Sequence, residues 1–396
     1  MLTIPIEQRK RMTTISKQWW QELRAKMPVV GKWAYFDHAA VAPLPKPAVD
    51  AIHNWVDDAA SNGDANWWQW KKNVNRLRKL GAELIGAKTD EIAIVRNTTE
   101  GVTIVAEGIL WQEGENIVTP EGEFPTNLFP WKNLERRGVE VRVVPTENER
   151  VDLKAIELAC DSRTRLITVS WVGFASGYRN DLAALTEIAH RNGAHIFVDA
   201  IQGLGAFPLD VRQIPLDYLA ADGHKWMLGP EGAGFLYVKK EHLENLYPLG
   251  IGWNSPRVSG DFRSSEMDLR NIAARYEGGS YNMCGIAALA KSLELLLSYG
   301  VENVAKRLLE VTGNLIQKLR KAGATIVSCE EGRHRSGIVA CSHPKIDPDS
   351  FRNFCLKRGV VANARIGRLR LSPHAYTDED DIARVIDCIN SASQAT

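Results

Sequence analysis

The chain has 396 residues, 44% of them hydrophobic and 24% charged, with 49 Lys plus Arg against 48 Asp plus Glu. That length predicts two or three domains with a core large enough to need no staples. The near-neutral balance argues against a dedicated nucleic-acid binder and gives no reason to expect an anionic membrane surface as partner.

Residues 9–26 predict an amphipathic helix with Trp19, Trp20 and Leu23 on its apolar positions, and nothing in the first 26 residues reads as a secretory signal. No apolar run reaches the length of a membrane span. From about 48 to 86 the pattern is helical and rich in charge and Trp. There Trp67, Trp68 and Trp70 read either as lining of a substrate mouth or as core and subunit contacts.

A regular alternation follows. Seven short Val- and Ile-rich runs (EIAIV, ENIVTP, VEVRVVP, RLITVSWV, AHIFVDA, LDYLAAD, GAGFLYV) are interleaved with helical stretches such as 126–137, 152–160 and 180–192. Strands separated by helices predict βαβ units and an α/β fold with a mostly parallel sheet, whose buried strands read as continuous apolar runs. Residues 245–280 are Gly-rich and polar and read as loop. Helices over 282–298 and 301–321, strands at ATIVSC, SGIVACS and RLRLS, and helices over 348–358 and 378–392 predict a smaller α+β domain. The expected division is an N-terminal helical segment (1–30) packing on the small domain, a large domain (31–260) and the small C-terminal domain (261–396). The six cysteines are scattered, with no CxxC, so the chain predicts reduced thiols, a cytoplasmic setting and no metal site.

Ligands of open α/β sheets bind beyond the carboxyl ends of the strands. Three features fall there. Asp199 ends the run HIFVD; a carboxylate leaving a buried strand needs a cation or strong hydrogen bonds, though it could equally be a helix cap. Lys225, in ADGHKWMLGPEGAG, follows another apolar run; it is either a surface loop lysine or a lysine of lowered pKa able to form a Schiff base. Thr98 and Thr99 open a helical pattern right after EIAIV, as a plain cap or as an anion site. Taken together, they are a phosphate cradle, a carboxylate for a ring nitrogen and an amine for an aldehyde, the set that pyridoxal 5'-phosphate requires.

The stretch VDAIQGLGAFPLDV followed by DYLAADGHKWMLGPEGAGFLYV resembles the cofactor-lysine region of the class V aminotransferases, fold-type I pyridoxal-phosphate enzymes that include cysteine desulfurases, selenocysteine lyases and isopenicillin N epimerase. The resemblance runs from about Tyr35 to Tyr376. It implies that Lys225 is the Schiff-base lysine, Asp199 the partner of the pyridine nitrogen, and Gln202 a donor to the cofactor's phenolic oxygen. It further implies that His224, Thr98 and Thr99 hold the phosphate and that Phe124 stacks on the ring. Gly279 and Ser280, in YEGGSYN, match a segment that reaches the neighbouring subunit's phosphate, which implies a homodimer. Arg370, in RLRLSPHAYT, matches the arginine that grips an amino-acid substrate's α-carboxylate, and YFDHAAVAPLP, with Ala39 and Ala40, matches a substrate-side loop.

The sequence departs from the desulfurases at three places. RGVVANARIGRLRLS carries no cysteine where they have a nucleophilic one, Asp222 stands where a Ser usually helps hold the phosphate, and Phe174 replaces an Asn. The expectation is an aminotransferase-like enzyme acting at the amino group and Cα of an amino acid, with C–S lyase, epimerase or desulfurase-like activity as alternatives. A non-catalytic homologue is disfavoured by the retained Lys225, Asp199, Gln202, His224 and Arg370, and a dinucleotide-binding Rossmann protein by the missing GxGxxG.

Overall fold

The computed structural model describes residues 18–260, 263 and 265–394. All seven apolar runs form strands of one sheet, in the order Ile92–Val95, Gly234–Val238, Tyr218–Asp222, His195–Asp199, Thr164–Ser170, Asn116–Pro120, Glu140–Val144. Gly234–Val238 runs antiparallel to both neighbours; the other six strands are mutually parallel. The interior strands are buried along their length, whereas the edge strand Glu140–Val144 is largely exposed.

Side chains alternate between the two faces of a strand, and the packing follows this. Ile196, Val198, Leu219 and Ala221 point into one core, while Phe197, Tyr218 and Ala220 point into another with Val102, Val105 and Trp131. The stretch read as one helical region over 48–86 is two helices, Lys46–Asn62 and Trp67–Ile85, parted at Gly63, whose φ of 59° ends the first. The 126–137 stretch is only a short helix, Phe129–Lys132, between 3-10 turns.

A four-stranded antiparallel sheet (Asn363–Arg365, Arg368–Leu371, Val339–Ser342, Thr325–Ile326) carries a further core with the helices Pro348–Leu356 and Glu379–Gln394. The N-terminal strand Ala34–Tyr35 pairs in parallel with Val360–Val361, so Ala34 and Phe36 join that core. Two-residue strands leave no periodic trace in a sequence. Another difference concerns Met283–Tyr299, expected with the C-terminal part. It packs on Lys46–Asn62 and Trp67–Ile85 instead, burying Ile286, Leu289 and Leu293 in the core of the large sheet. Its apolar residues nearly encircle it, which suits a helix held between layers rather than on a surface. The next helix, Val301–Lys321, divides its apolar face: Val301 and Leu308 join the large-sheet core, Val311, Leu315 and Leu319 the small one.

Of the N-terminal helix expected over 9–26, the part before residue 18 lies outside the described residues. The helix Trp19–Ala25 packs Trp19 and Leu23 on Leu295, Leu296, Tyr299, Ala375 and Tyr376, and Arg24 reaches Asp378 at 2.9 Å and Asp381 at 2.6 Å. No single helix among the described residues is long and apolar enough to cross a membrane.

Candidate active site

The carboxyl ends of His195–Asp199 and Tyr218–Asp222 open on a cleft of about 310 Å³. Asp199, Gln202, His224, Lys225, Thr98, Thr99, Phe124, Arg370, Ala39 and Ala40 all line it. Asp199, Lys225, Thr98 and Phe124 converge because each follows a strand or opens a helix at the same edge of the central sheet, while Arg370 comes from the small sheet and Ala39 and Ala40 from the segment after Ala34–Tyr35.

Lys225 sits in a tight turn after Tyr218–Asp222. Leu228 closes that turn by donating its N–H to the Lys225 carbonyl at 3.0 Å, with its own φ at 57°. A left-handed leucine costs about 1–3 kcal/mol and persists only where packing over-determines it; Leu228 is fully buried. Gly205 makes room for the same turn: its φ is 88°, and a Cβ there would lie 2.4 Å from the Trp226 carbonyl oxygen.

The charges in the cleft are poorly solvated. Burial pushes the Asp199 carboxyl up to about 6, against the pull of the Ile201 N–H (3.0 Å) and of Lys225. Burial likewise lowers Lys225 to about 8, with Asp199 opposing and Arg370 assisting. Asp199 accepts one backbone N–H and faces a cleft, so it can take a cationic ring N–H. At the helix Thr98–Gly108, Asn97 Oδ1 caps the Glu100 N–H. The Thr98 and Thr99 N–H groups have no intrahelical partner, which suits a phosphate. This donor set fits pyridoxal phosphate.

Gln202 is clamped, donating to the Ala39 carbonyl at 2.9 Å and accepting from Trp226 Nε1 at 2.9 Å, with one amide N–H to spare. Thr98 Oγ1 accepts the Asp222 N–H at 3.0 Å. The Asp222 carboxylate turns back on the Gly223 N–H at 2.6 Å and lies 2.9 Å from His224 Nδ1, outside hydrogen-bond alignment. The carboxylate is thereby engaged by a backbone N–H beside the phosphate site. Phe124 and Phe174 meet edge-to-face at 5.2 Å, and Lys225 Nζ lies 5.7 Å from the Phe124 ring centre.

Arg370 is 2% exposed. One amino group reaches Asp37 Oδ1 at 3.2 Å and the other the Phe174 carbonyl at 2.8 Å, while its Nε lacks a partner. Asp37 is itself held by Arg352 and Asn363. The Phe174 loop is fixed by Glu149, which accepts the Ala175 and Ser176 N–H groups at 3.0 and 2.5 Å from a backbone at φ 63°.

Not everything converges. Gly279 and Ser280 are exposed and line a separate cleft of about 880 Å³, which shares Asn97 and Thr99 with the first. None of Trp67, Trp68 and Trp70 lines the Lys225 cleft; Trp68 is exposed, and Trp70 packs on Trp55 and donates to Asp58 at 2.7 Å. None of the six cysteines lines it either, and all six are unpaired. Sequence reasoning missed Arg365, a second arginine on the cleft wall, and Glu123, half-buried and hydrogen-bonded to Ser170 and Asn127. The signal for Arg365 was present: Ile366-Gly367 is a two-residue hairpin turn, with φ of 50° and 67°, joining strands that carry both arginines.

A mostly parallel sheet with a lysine, a carboxylate and a helix start around one cleft defines a pyridoxal-phosphate-dependent enzyme. The family model "Aminotransferase class-V" matches residues 34–384, and the chain belongs to that family. It is 30% identical to a probable cysteine desulfurase of Methanothermobacter thermautotrophicus, over 91% of this chain and 95% of that one. Its fold is similar to that of the cysteine desulfurase CsdA from Escherichia coli (25% identity, 95% and 98% of the two chains, TM-score 0.85). It also resembles a cystine C–S lyase solved with its product cysteine persulfide (22% identity, 92% and 99%, TM-score 0.86).

Proposed function

We propose that the chain removes the Cα proton of an amino acid with Lys225 as base, without a protein thiol, and that its reaction is transamination. The observation that carries this reading is Lys225 beside Asp199 and Arg370 in a cleft lined by no cysteine. Pyridoxal phosphate, when bound, supplies an electron sink conjugated to that carbon.

The chain's own residues do the rest. Thr98, Thr99 and His224 hold the phosphate end, Phe124 covers the ring face, and Gln202 donates to the phenolic oxygen. Asp199, ionised above about pH 6, holds a proton on the ring nitrogen. Arg370 takes the α-carboxylate through a guanidinium already oriented by Asp37 and the Phe174 carbonyl, so little ordering is left for the substrate to cost. Ala39 and Ala40 leave room beside it. Lys225, lowered to about 8, has a large neutral fraction near that pH and can accept the Cα proton and return it elsewhere.

We further propose a cytoplasmic homodimer in which Gly279 and Ser280 serve the partner's phosphate. Within each chain we propose a large and a small part, the small one starting near Val311, where the helix Val301–Lys321 changes cores. The functional test is a panel of amino acids given to the cofactor-loaded protein, with products identified. A keto acid formed with stoichiometric amino transfer to an acceptor supports the reading. Ammonia plus pyruvate indicates β-elimination, and persulfide on a cysteine of this chain refutes the thiol-free route.

A further inference from the structure

At the other end of the central sheet, three imidazoles converge on one carboxylate. His195 opens the strand His195–Asp199, Asp217 precedes Tyr218–Asp222, and His242 ends the 3-10 turn after Gly234–Val238. His190 lies in the last turn of the helix Leu182–Arg191. Asp217 is 2% exposed. Its Oδ1 accepts from His242 Nε2 at 2.7 Å, and its Oδ2 from His190 Nε2 at 2.9 Å and the Ile196 N–H at 2.8 Å. The His195 and His242 rings lie 4.3 Å apart, and His195 Nδ1 is 3.3 Å from the Tyr218 hydroxyl. One ligand atom from each of His195, Asp217 and His242 lies within 4.8 Å of the other two. At the solvent rim, Glu241 Oε1 is 4.0 Å from His242 Nε2.

We propose that His195, Asp217 and His242 form a binding site for one divalent transition-metal ion of the zinc class, its fourth position filled by water or by Glu241. Two imidazole nitrogens and one carboxylate oxygen suit Zn²⁺, Co²⁺ or Ni²⁺ rather than the all-oxygen preference of Ca²⁺ or Mg²⁺. Metal–ligand bonds of about 2.0–2.1 Å put tetrahedral ligand atoms roughly 3.3 Å apart. The Asp217–His242 pair therefore opens by about half an ångström, and the His195 ligand atom, within 4.8 Å of the other two, moves closer to them. The ion takes the place of the proton that His242 Nε2 shares with Asp217; from an imidazolium ring that proton leaves to solvent, from a neutral ring it is replaced by one taken up at Nδ1, so the bound ring is neutral imidazole in either case and no electron moves. His190 and the Ile196 N–H keep their bonds to Oδ2 and orient the carboxylate from behind. Arg165, on the adjacent strand Thr164–Ser170, and Lys239, paired with Glu241 at 2.6 Å, oppose a cation here, and the buried Asp217 carboxylate favours it.

The ligands come from three neighbouring strands or their ends, so an ion would pin this end of the sheet. His195 is four residues from Asp199, about 13 Å along an extended strand. The site is therefore structural, and the proposal does not rest on the reading of Lys225.

The test uses untagged, full-length, cofactor-loaded protein stripped with chelator and titrated with Co²⁺, then back-titrated with Zn²⁺. The expected result is one Co²⁺ per chain with the strong visible ligand-field bands of a four-coordinate ion, displaced by Zn²⁺, and a thermal midpoint raised by several degrees. His195→Asn and Asp217→Asn should each weaken binding by about 100-fold. Lys225→Ala, which removes the cofactor lysine, should bind Co²⁺ as the parent does. Binding below one ion per chain, or binding unchanged in a folded His195→Asn protein, overturns the proposal; so does the weak spectrum of a six-coordinate ion.

Discussion

The two ends of the central sheet carry similar groups in opposite states. At the amino ends, Asp217 receives two imidazoles and a backbone N–H, and these bonds hold its carboxyl below the usual range despite burial. At the carboxyl ends, Asp199 receives one backbone N–H, and burial raises it to about 6. Both carboxylates are 3% exposed or less. Surface exposure therefore does not separate them; Asp217 has more donors and is less deeply desolvated than Asp199. A buried charge left short of partners keeps its affinity for a ligand, and the protein carries the cost in stability.

Substitutions can break this comparison. The largest expected effect is at Lys225: Lys225→Ala should abolish the visible absorbance of the bound cofactor and cut turnover by about 10⁴-fold or more. Arg370→Ala should lower kcat/KM for α-amino carboxylates by about 10²–10³-fold, the scale of losing one buried charge-paired contact, with cofactor absorbance unchanged. Equal loss of both would mean that Arg370 only supports the cleft.

The sharpest contrast lies in the carboxylates themselves. Asp217→Ala, in metal-free buffer, should destabilise the chain by about 2–4 kcal/mol by stranding its three donors, leaving cofactor absorbance intact. Asp199→Asn should do the reverse. Its carboxyl has an ordinary value near 3.8 and a folded value of about 6. The folded chain thus holds that proton more tightly, and the penalty for ionising grows as pH rises from about 4 to 6. Above that window it is full, about 3 kcal/mol at 1.36 kcal/mol per pKa unit. The variant freed of cofactor should therefore unfold at equal or higher denaturant than the parent at pH 7.5, while losing activity. A smaller effect is expected at Glu123, which burial raises to about 7 against hydrogen bonds from Ser170 and Asn127. Glu123→Gln should flatten the pH dependence of activity between about 6 and 8 with little change in maximal rate.

Much of this site was legible in the sequence because chain order and strand ends do the positioning. Lys225, Asp199 and the Thr98–Thr99 helix start each adjoin an apolar run, and a parallel sheet brings such positions to one edge. What the sequence hid came from long-range packing. The Ala34–Tyr35 strand is too short for any pattern, yet it carries Asp37 to Arg370. The Phe174 carbonyl acts as an anchor whatever side chain it bears. The helix Met283–Tyr299 follows the loop in sequence but belongs to the large-sheet core, since its apolar residues point nearly all ways. The His195–Asp217–His242 cluster spans 48 residues of chain, beyond any local metal-ligand spacing, as the difference between positions 242 and 195 plus one shows.

The central claim is a covalent bond between the cofactor aldehyde and one lysine among many. Borohydride reduction of the cofactor-loaded protein followed by peptide mapping tests it directly. The account predicts a single pyridoxyl group, on the peptide containing Gly223-His224-Lys225-Trp226. A label on another lysine, or none after saturating cofactor, would contradict it.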